Sequence, residues 1–471
     1  MSDLIERLEG ALPDDAVLTG DAIGEDYTHD ECLNVPAQRP AVLVRPSNTE
    51  EVAAVLRVAQ ETRTPVTTRG AGTGLSGAAI PTADAILLST ERMKRIIEID
   101  TDNHIAVVEP GVTLGELDEA AAPHGLVYPI QPGESSATLG GNVATNAGGM
   151  RAVKYGVTRN QVLGLTAVLP GGDVIECGGK FVKNSSGYDL TQLIVGSEGT
   201  LAVVTRIIVK LVPRLTHRAS LLAPFESVEQ VTRAVPKLVQ SGTSPLFVEY
   251  IDALSMAGVL GRAKIDLGIP NDVREKAMAY VLVVLENAHE ARNLEDLETV
   301  GQICLEHGAL DVYVLPKNQS AKLIQGREDS FWAGKEAGLN DQVDVVVPRA
   351  KLSEYMAAVA GIAGETGSLV VGTGHAGDGN VHLGIFQPDD AVRSELLDRL
   401  FDLGVEMGGV VSAEHGIGVA KRPYYVARES PAKLALMGRI KLAFDPHGIM
   451  NPGKVFEPHR DTPRTSTSAA E

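Results

Sequence analysis

Arg69-Gly70-Ala71-Gly72-Thr73-Gly74-Leu75-Ser76-Gly77 follows the β-type run Pro65-Val66-Thr67-Thr68, and its reading decides between two folds. Residues 72–77 satisfy GxGxxG, the spacing of a dinucleotide-binding Rossmann turn. That turn needs its third glycine to open a helix whose N-terminus holds the pyrophosphate. Here Ala78-Ala79-Ile80-Pro81 comes next and Ile86-Leu87-Leu88 resumes as a strand, so Pro81 leaves no room for a helix of useful length. The Rossmann reading is rejected. What remains is a glycine-rich loop whose exposed backbone N–H groups form an anion-binding nest without a helix. A long floppy hairpin is the weaker alternative, because such loops rarely need four glycines at regular spacing.

Working outward, Ala41-Val42-Leu43-Val44 reads as a strand. Ser47-Asn48-Thr49-Glu50 is a capping-box signature ahead of Val52, Val55, Leu56 and Ala59 at helical spacing. Downstream, strands are predicted at 95–99 and 105–108 and a helix over 114–122. A second glycine-dense stretch, 132–149, is filled by small and hydroxyl residues and allows a flat ligand to lie against backbone. Strands at 163–169 and 174–177 join through Gly171-Gly172, a hairpin-type turn. A third stretch, 187–205, ends in strands reaching Leu211.

The second half alternates strands and helices from about residue 216, including a helix over 320–336, a strand at 343–347 and a helix over 349–366. This order predicts helices on one face of a mostly antiparallel sheet. It leads to Gly374-His375-Ala376-Gly377-Asp378-Gly379-Asn380-Val381-His382, then Ser412-Ala413-Glu414-His415-Gly416-Ile417-Gly418. Three histidines of the chain's 11, with a glutamate, concentrate in these two short glycine-flanked segments. Two neutral imidazoles and one carboxylate are a common first shell for a divalent transition metal. A lone histidine is more often simply buried and hydrogen-bonded; the clustering favours a site.

At 471 residues the chain should hold two to four domains, at roughly 100–200 residues each. A net charge of −19 argues against a nucleic-acid partner, which needs a basic surface. Cys32, Cys177 and Cys304 are odd in number and widely spaced, which suits a reducing compartment without a disulfide framework. The start Met-Ser-Asp-Leu-Ile-Glu-Arg-Leu-Glu lacks the basic and apolar regions of a signal peptide. No apolar run approaches the ~20 residues of a membrane span. A cytoplasmic location follows by default.

With these motifs in view, the loops 69–77, 132–149 and 187–205 resemble the FAD-binding domain of the vanillyl-alcohol oxidase/p-cresol methylhydroxylase type. The resemblance implies an α+β chain: a two-lobed FAD-binding domain at 38–215 and a cap domain at 216–430 with a mostly antiparallel sheet. A helical segment at 1–37 would precede them. A segment at 431–456, with Asn451 and Lys454, would return to the FAD domain, and 457–471 reads as a disordered tail. The resemblance further implies that FAD is held by Arg69, Gly70, Ala71, Gly72, Thr73, Gly74, Leu75 and Ser76. From the second stretch it adds Pro132, Gly133, Ser136, Thr138, Gly140, Gly141, Asn142, Ala144, Thr145 and Gly148, and from the third Glu198, Gly199 and Val204, with Asn451 near the C-terminus. Some relatives attach flavin covalently through His or Cys in the first two loops. Neither loop contains one here, so non-covalent FAD is expected.

The histidine segments and Asn451-Pro452-Gly453-Lys454 are similar to the FAD-linked 2-hydroxyacid dehydrogenases: glycolate oxidase flavoprotein subunit, D-lactate dehydrogenase and D-2-hydroxyglutarate dehydrogenase. This implies His375, His382 and Glu414 as ligands of zinc or manganese, His415 as the base and Asn380 as a hydrogen-bond partner of substrate or flavin. The expected substrate is a small D-2-hydroxyacid, lactate- or glycolate-like, with 2-hydroxyglutarate as the alternative. Relatives carry arginine in a Trp-x-x-Arg pattern for the substrate carboxylate; Trp332-Ala333-Gly334-Lys335 has lysine, which lacks the bidentate fork. Lys335 is read either as a substrate contact or as a solvated helix-face charge. A second lysine of the pattern is replaced by Gln342.

Two other readings stand lower: a metallohydrolase, which leaves the glycine loops unused, and a flavin electron-relay subunit without its own chemistry. The electron acceptor (quinone, cytochrome or electron-transfer flavoprotein) and the oligomeric state, a homodimer included, are open at this stage.

Overall fold

Three main sheets carry the architecture in the computed structural model, which describes residues 2–458. The first is ordered Val17–Leu18, Val42–Val44, Ile86–Ser89, Val66–Arg69. The last two strands pair in parallel. The glycine loop therefore crosses between parallel neighbours without a helix, and the hairpin alternative falls because a hairpin joins antiparallel strands. Helix Thr49–Thr62 packs here, its Val52, Val55, Leu56 and Ala59 buried as the spacing predicts. Its cap lies one residue later than the Ser47–Glu50 reading. Asn48 is the extended residue whose side chain accepts from Glu51 N at 2.9 Å, while Glu51 Oε2 accepts from Ser47 N at 2.7 Å.

The second sheet is fully antiparallel, in the order Ile96–Asp100, Ile105–Val108, Val203–Lys210, Val162–Val168, Val174–Gly178. One element beside it was not legible. The second glycine stretch contains a helix, Leu139–Thr145, despite its paired glycines, because Thr138 caps it by accepting from Gly141 N at 3.3 Å.

The third sheet has seven strands: Tyr313–Val314, His217–Phe225, Ala279–Asn287, Phe247–Asp252, Leu369–Gly374, Asn380–Phe386 and Asp341–Val346. Every pairing in it is antiparallel. Helices cover both of its faces, not one. Alternation along Ala279–Asn287 sends Val281, Val283 and Leu285 to one core with helices Val228–Gln240 and Glu290–Glu306. Tyr280, Leu282 and Val284 go to another, with Met256, Val259 and Leu323. Each such aliphatic side chain contributes about 1.5–3 kcal/mol on burial. The helix read over 320–336 is two, Lys317–Glu328 and Ser330–Glu336, parted at Asp329, a residue type that favours helix ends.

The C-terminal segment docks on the first sheet. Asn451 N donates to Val66 O at 2.8 Å, and Lys454 Nζ donates to Ile80 O at 2.8 Å. Buried Lys441 is fully satisfied by Thr200 O, Met450 O and Asp445 Oδ2 at 2.5–2.8 Å. Of the tail expectation, 459–471 lies outside the described residues. Among those described, no helix is long and apolar enough to cross a membrane.

Candidate active site

The three glycine stretches converge on one cleft. Gly70, Ala71, Gly72, Thr73, Gly74 and Leu75 form one wall. Pro132, Thr138, Gly140, Gly141, Asn142, Ala144, Thr145 and Gly148 form a second, and Glu198, Gly199 and Val204 a third. Thr68 Oγ1 and Asn142 Nδ2, both in the lining, are buried polar atoms without a protein partner. Such atoms call for a ligand's acceptors and donors, which fits a dinucleotide laid against backbone.

Five further residues expected on the cofactor make contacts that brace the walls. Arg69 Nη1 donates to His29 O at 2.5 Å, and its guanidinium fills the space where Gly72, at φ +77°, would carry a Cβ. Ser76 Oγ lies 3.0 Å from both His415 O and Gly416 O, tying the first loop to the histidine segment. Asn451 Nδ2 donates to Glu198 O at 2.7 Å and Ala78 O at 3.0 Å. Ser136 is spent on Glu134 Oε1 at 2.8 Å, and Gly133, at φ +89°, shapes the turn before it. Asp30, Thr90, Pro110 and Ser197 line the cleft without having been singled out in the sequence. Asp30 and Thr90 come from connections with no glycine signal.

At the far wall stand Glu414 and His415. Glu414 Oε2 accepts from Gly149 N, and a Cβ on Gly148 would collide with the Glu414 carboxylate. This close approach is what Gly148 permits. Glu414 Oε1, His375 Nε2 and His382 Nε2 form a triangle with every edge 3.2 Å. Ligands about 2.05 Å from a tetrahedral ion lie about 3.3 Å apart, so the triangle has the size of one face of such a shell. The turn at Gly379, φ +81°, folds the two histidine strands together, and Thr373 pairs with His382 across them.

Two carboxylates behind the triangle were missed in the sequence. Glu249, fully buried on Phe247–Asp252, holds His375 Nδ1 at 2.7 Å and Arg327 Nε at 3.1 Å. Burial opposes a charge on His375, but the carboxylates of Glu249 and Glu414 outweigh it and push the imidazole up to about 10. The cluster thus attracts positive charge. Asp344, also fully buried, organises the second segment: its Oδ2 accepts from Ser412 Oγ, Ala413 N, Glu414 N and His415 N at 2.8–3.0 Å. Although burial works against the anion, the neighbouring cation Lys421, 3.8 Å away, helps hold this carboxyl well below the usual range. Burial, with Lys421 and His382 adding to it, pushes His415 down to about 3, so its ring is neutral at neutral pH.

Asn380 stands behind the cluster. Its Nδ2 donates to Asp344 Oδ1 at 3.0 Å and Val345 O at 2.9 Å, leaving only Oδ1 without a partner. Both amide hydrogens are thus spent on the scaffold, and Oδ1 remains open to a donor. Lys335 is 43% exposed in its side chain, with Nζ 2.7 Å from Glu31 Oε2 and over the Trp332 ring. Of the two readings of Lys335, the pair with Glu31 is nearer the helix-face charge than a free substrate contact.

Residues 40–178 match the FAD binding domain family, and 214–455 match the FAD linked oxidases, C-terminal domain. An uncharacterized FAD-linked oxidoreductase of Mycobacterium tuberculosis is 52% identical over 97% of this chain and 99% of its own. A D-lactate dehydrogenase of Archaeoglobus fulgidus is 40% identical over 91% of this chain and 95% of its own. The solved structure of p-cresol methylhydroxylase with substrate bound superposes with a TM-score of 0.80 at 18% identity, covering 97% of each chain, a likeness of fold alone. Glycine cleft, C-terminal histidine segments and sequence similarity agree along nearly the whole length: the chain belongs to the FAD-linked oxidoreductases, built on a p-cresol methylhydroxylase-type FAD-binding fold.

Proposed function

We propose that this chain oxidises a small D-2-hydroxyacid, lactate- or glycolate-like, to the 2-oxoacid, using non-covalent FAD and a divalent ion, zinc or manganese, at His375, His382 and Glu414. The observation that carries this reading is the 3.2 Å triangle set against the wall of the flavin cleft, with neutral His415 beside it. When bound, FAD supplies the hydride acceptor and the ion supplies Lewis acidity toward the alcohol oxygen. The protein's part is position and proton transfer. His415 takes the hydroxyl proton at Nε2, the ring nitrogen turned away from Asp344, whose Oδ2 lies 3.8 Å from Nδ1. The anionic Asp344 then steadies the imidazolium. Glu249 holds the Nδ1 proton of His375, so an ion at the triangle would have only the Nε2 proton to displace.

Purified protein is expected to be yellow, to release all its flavin on acid denaturation, and to bleach anaerobically with D-lactate or glycolate but not L-lactate. A 2-hydroxyacid panel without any bleaching, metal present, would sink the oxidase reading and leave the electron-relay alternative. Activity that survives exhaustive chelation would remove the ion alone. Glu249→Gln is expected to weaken metal binding about 10–100-fold, read by chelator competition, as loss of an outer carboxylate partner does.

A further inference from the structure

The corners of the triangle are held by different parts of the chain. His382 lies on strand Asn380–Phe386 and His375 directly follows strand Leu369–Gly374, both in the cap sheet. Glu249 of the same sheet holds His375 Nδ1 at 2.7 Å. Glu414 instead comes from the 412–418 segment, between helices Asp390–Glu406 and Arg422–Arg428 and part of neither. The cap fixes this segment through Asp344, which takes Ser412 Oγ and the backbone N–H groups of 413–415.

The carboxylate of Glu414 and the residues after it are fixed from the flavin side, by one residue of each glycine stretch. From the first, Ser76 Oγ lies 3.0 Å from His415 O and Gly416 O, while Ser76 O accepts from Val419 N at 2.9 Å. Gly418, at φ +52°, permits this approach, since a Cβ there would run into Ser76 O. From the second, Gly149 N donates to Glu414 Oε2, which leaves Oε1 for the triangle. From the third, Glu198 accepts from Ile417 N at 2.7 Å and Gly418 N at 2.8 Å.

These contacts sit on the walls of the flavin cleft. Leu75 beside Ser76, Gly148 beside Gly149, and Glu198 itself all line it. A ligand that orders a loop removes part of the entropy cost that a second ligand relying on that loop would otherwise meet. Two ligands sharing such loops therefore bind with positive coupling and no change of shape. We propose that the flavin loops assemble the ion site, so that FAD and the divalent ion each tighten the other, and that Ser76 and Glu198 are the positioning residues that carry this coupling to Glu414. The inference rests on the FAD-and-ion reading above and adds to it the dependence of one group on the other.

Binding free energies couple reciprocally, so the effect is measured from the FAD side on holoenzyme. The ion is removed by chelation and zinc or manganese is added back. The FAD dissociation constant is then read from flavin fluorescence in a dilution series with and without ion. The ion should tighten FAD about tenfold in wild type. Ser76→Ala keeps the backbone contacts of residue 76 and loses only the hydroxyl; it should cut that ratio to about threefold or less. Glu198→Gln, left with one acceptor for two donors, should cut it as far. A bracing role alone would shift FAD affinity equally with and without ion and leave the ratio at its wild-type value. A wild-type FAD dissociation constant that ignores bound ion overturns the proposal however the variants fold, as does a Ser76→Ala ratio equal to wild type. Calorimetry of the chelated holoenzyme separates the two readings. Ion that binds without changing FAD affinity fails only this inference; no ion bound fails the metal reading and takes the inference with it.

Discussion

Glu414→Gln should leave a yellow, folded protein that holds almost no divalent metal and reduces its flavin with D-lactate about 10³-fold more slowly. The substitution keeps an oxygen to accept from Gly149 N, so the junction between the flavin cleft and the cap is retained. What it removes is the charge at the third corner of the 3.2 Å triangle. Lewis acidity is worth several kcal/mol of transition-state stabilisation, and each 1.36 kcal/mol is about tenfold in rate. Metal content by elemental analysis, FAD content from absorbance and single-turnover bleaching separate the three effects. A variant that bleaches at the wild-type rate with no metal would show that the triangle is only a hydrogen-bonded cluster.

Asp344→Ala should cost more in structure than any other single change near the site. Four donors at 2.8–3.0 Å, three of them backbone N–H groups of 413–415, converge on its Oδ2. Removing the acceptor strands them where burial denies them water, at about 1–3 kcal/mol for each unsatisfied group. Buried Lys421 loses its nearby countercharge at 3.8 Å as well. The expected readout is fast amide exchange at Ala413, Glu414 and His415, with loss of metal binding and turnover. Asp344→Asn, which retains one acceptor, should fall between. Exchange at those amides as slow as in wild type would refute the hub role.

The sequence-level expectations that held share a local cause. Pro81 forbids a helix after the glycine loop whatever the rest of the chain does, and the loop crosses between parallel strands as a nest rather than a Rossmann turn. The clustering of His375, His382, Glu414 and His415 was visible because these side-chain types stand out in glycine-rich surroundings. Expectations that changed involve partners distant in sequence. Thr138 caps a helix in a stretch that composition marks as loop. Lys335 on a helix gives no sign of Glu31, 304 positions earlier.

By itself, the sequence determined the chain's class: three glycine stretches for a flavin, and strand patterns for an α+β cap. Tertiary structure alone decided which carboxylates back the histidine cluster. Glu249 and Asp344 lie in apolar strands, where local pattern marks them as exceptions to burial. Only the folding of distant strands brings Glu249 to His375, 126 residues away, and Asp344 to the amides of 413–415. A buried charge is tolerable only with its partners in place, and those partners are assembled by the sheet rather than by neighbours in the chain.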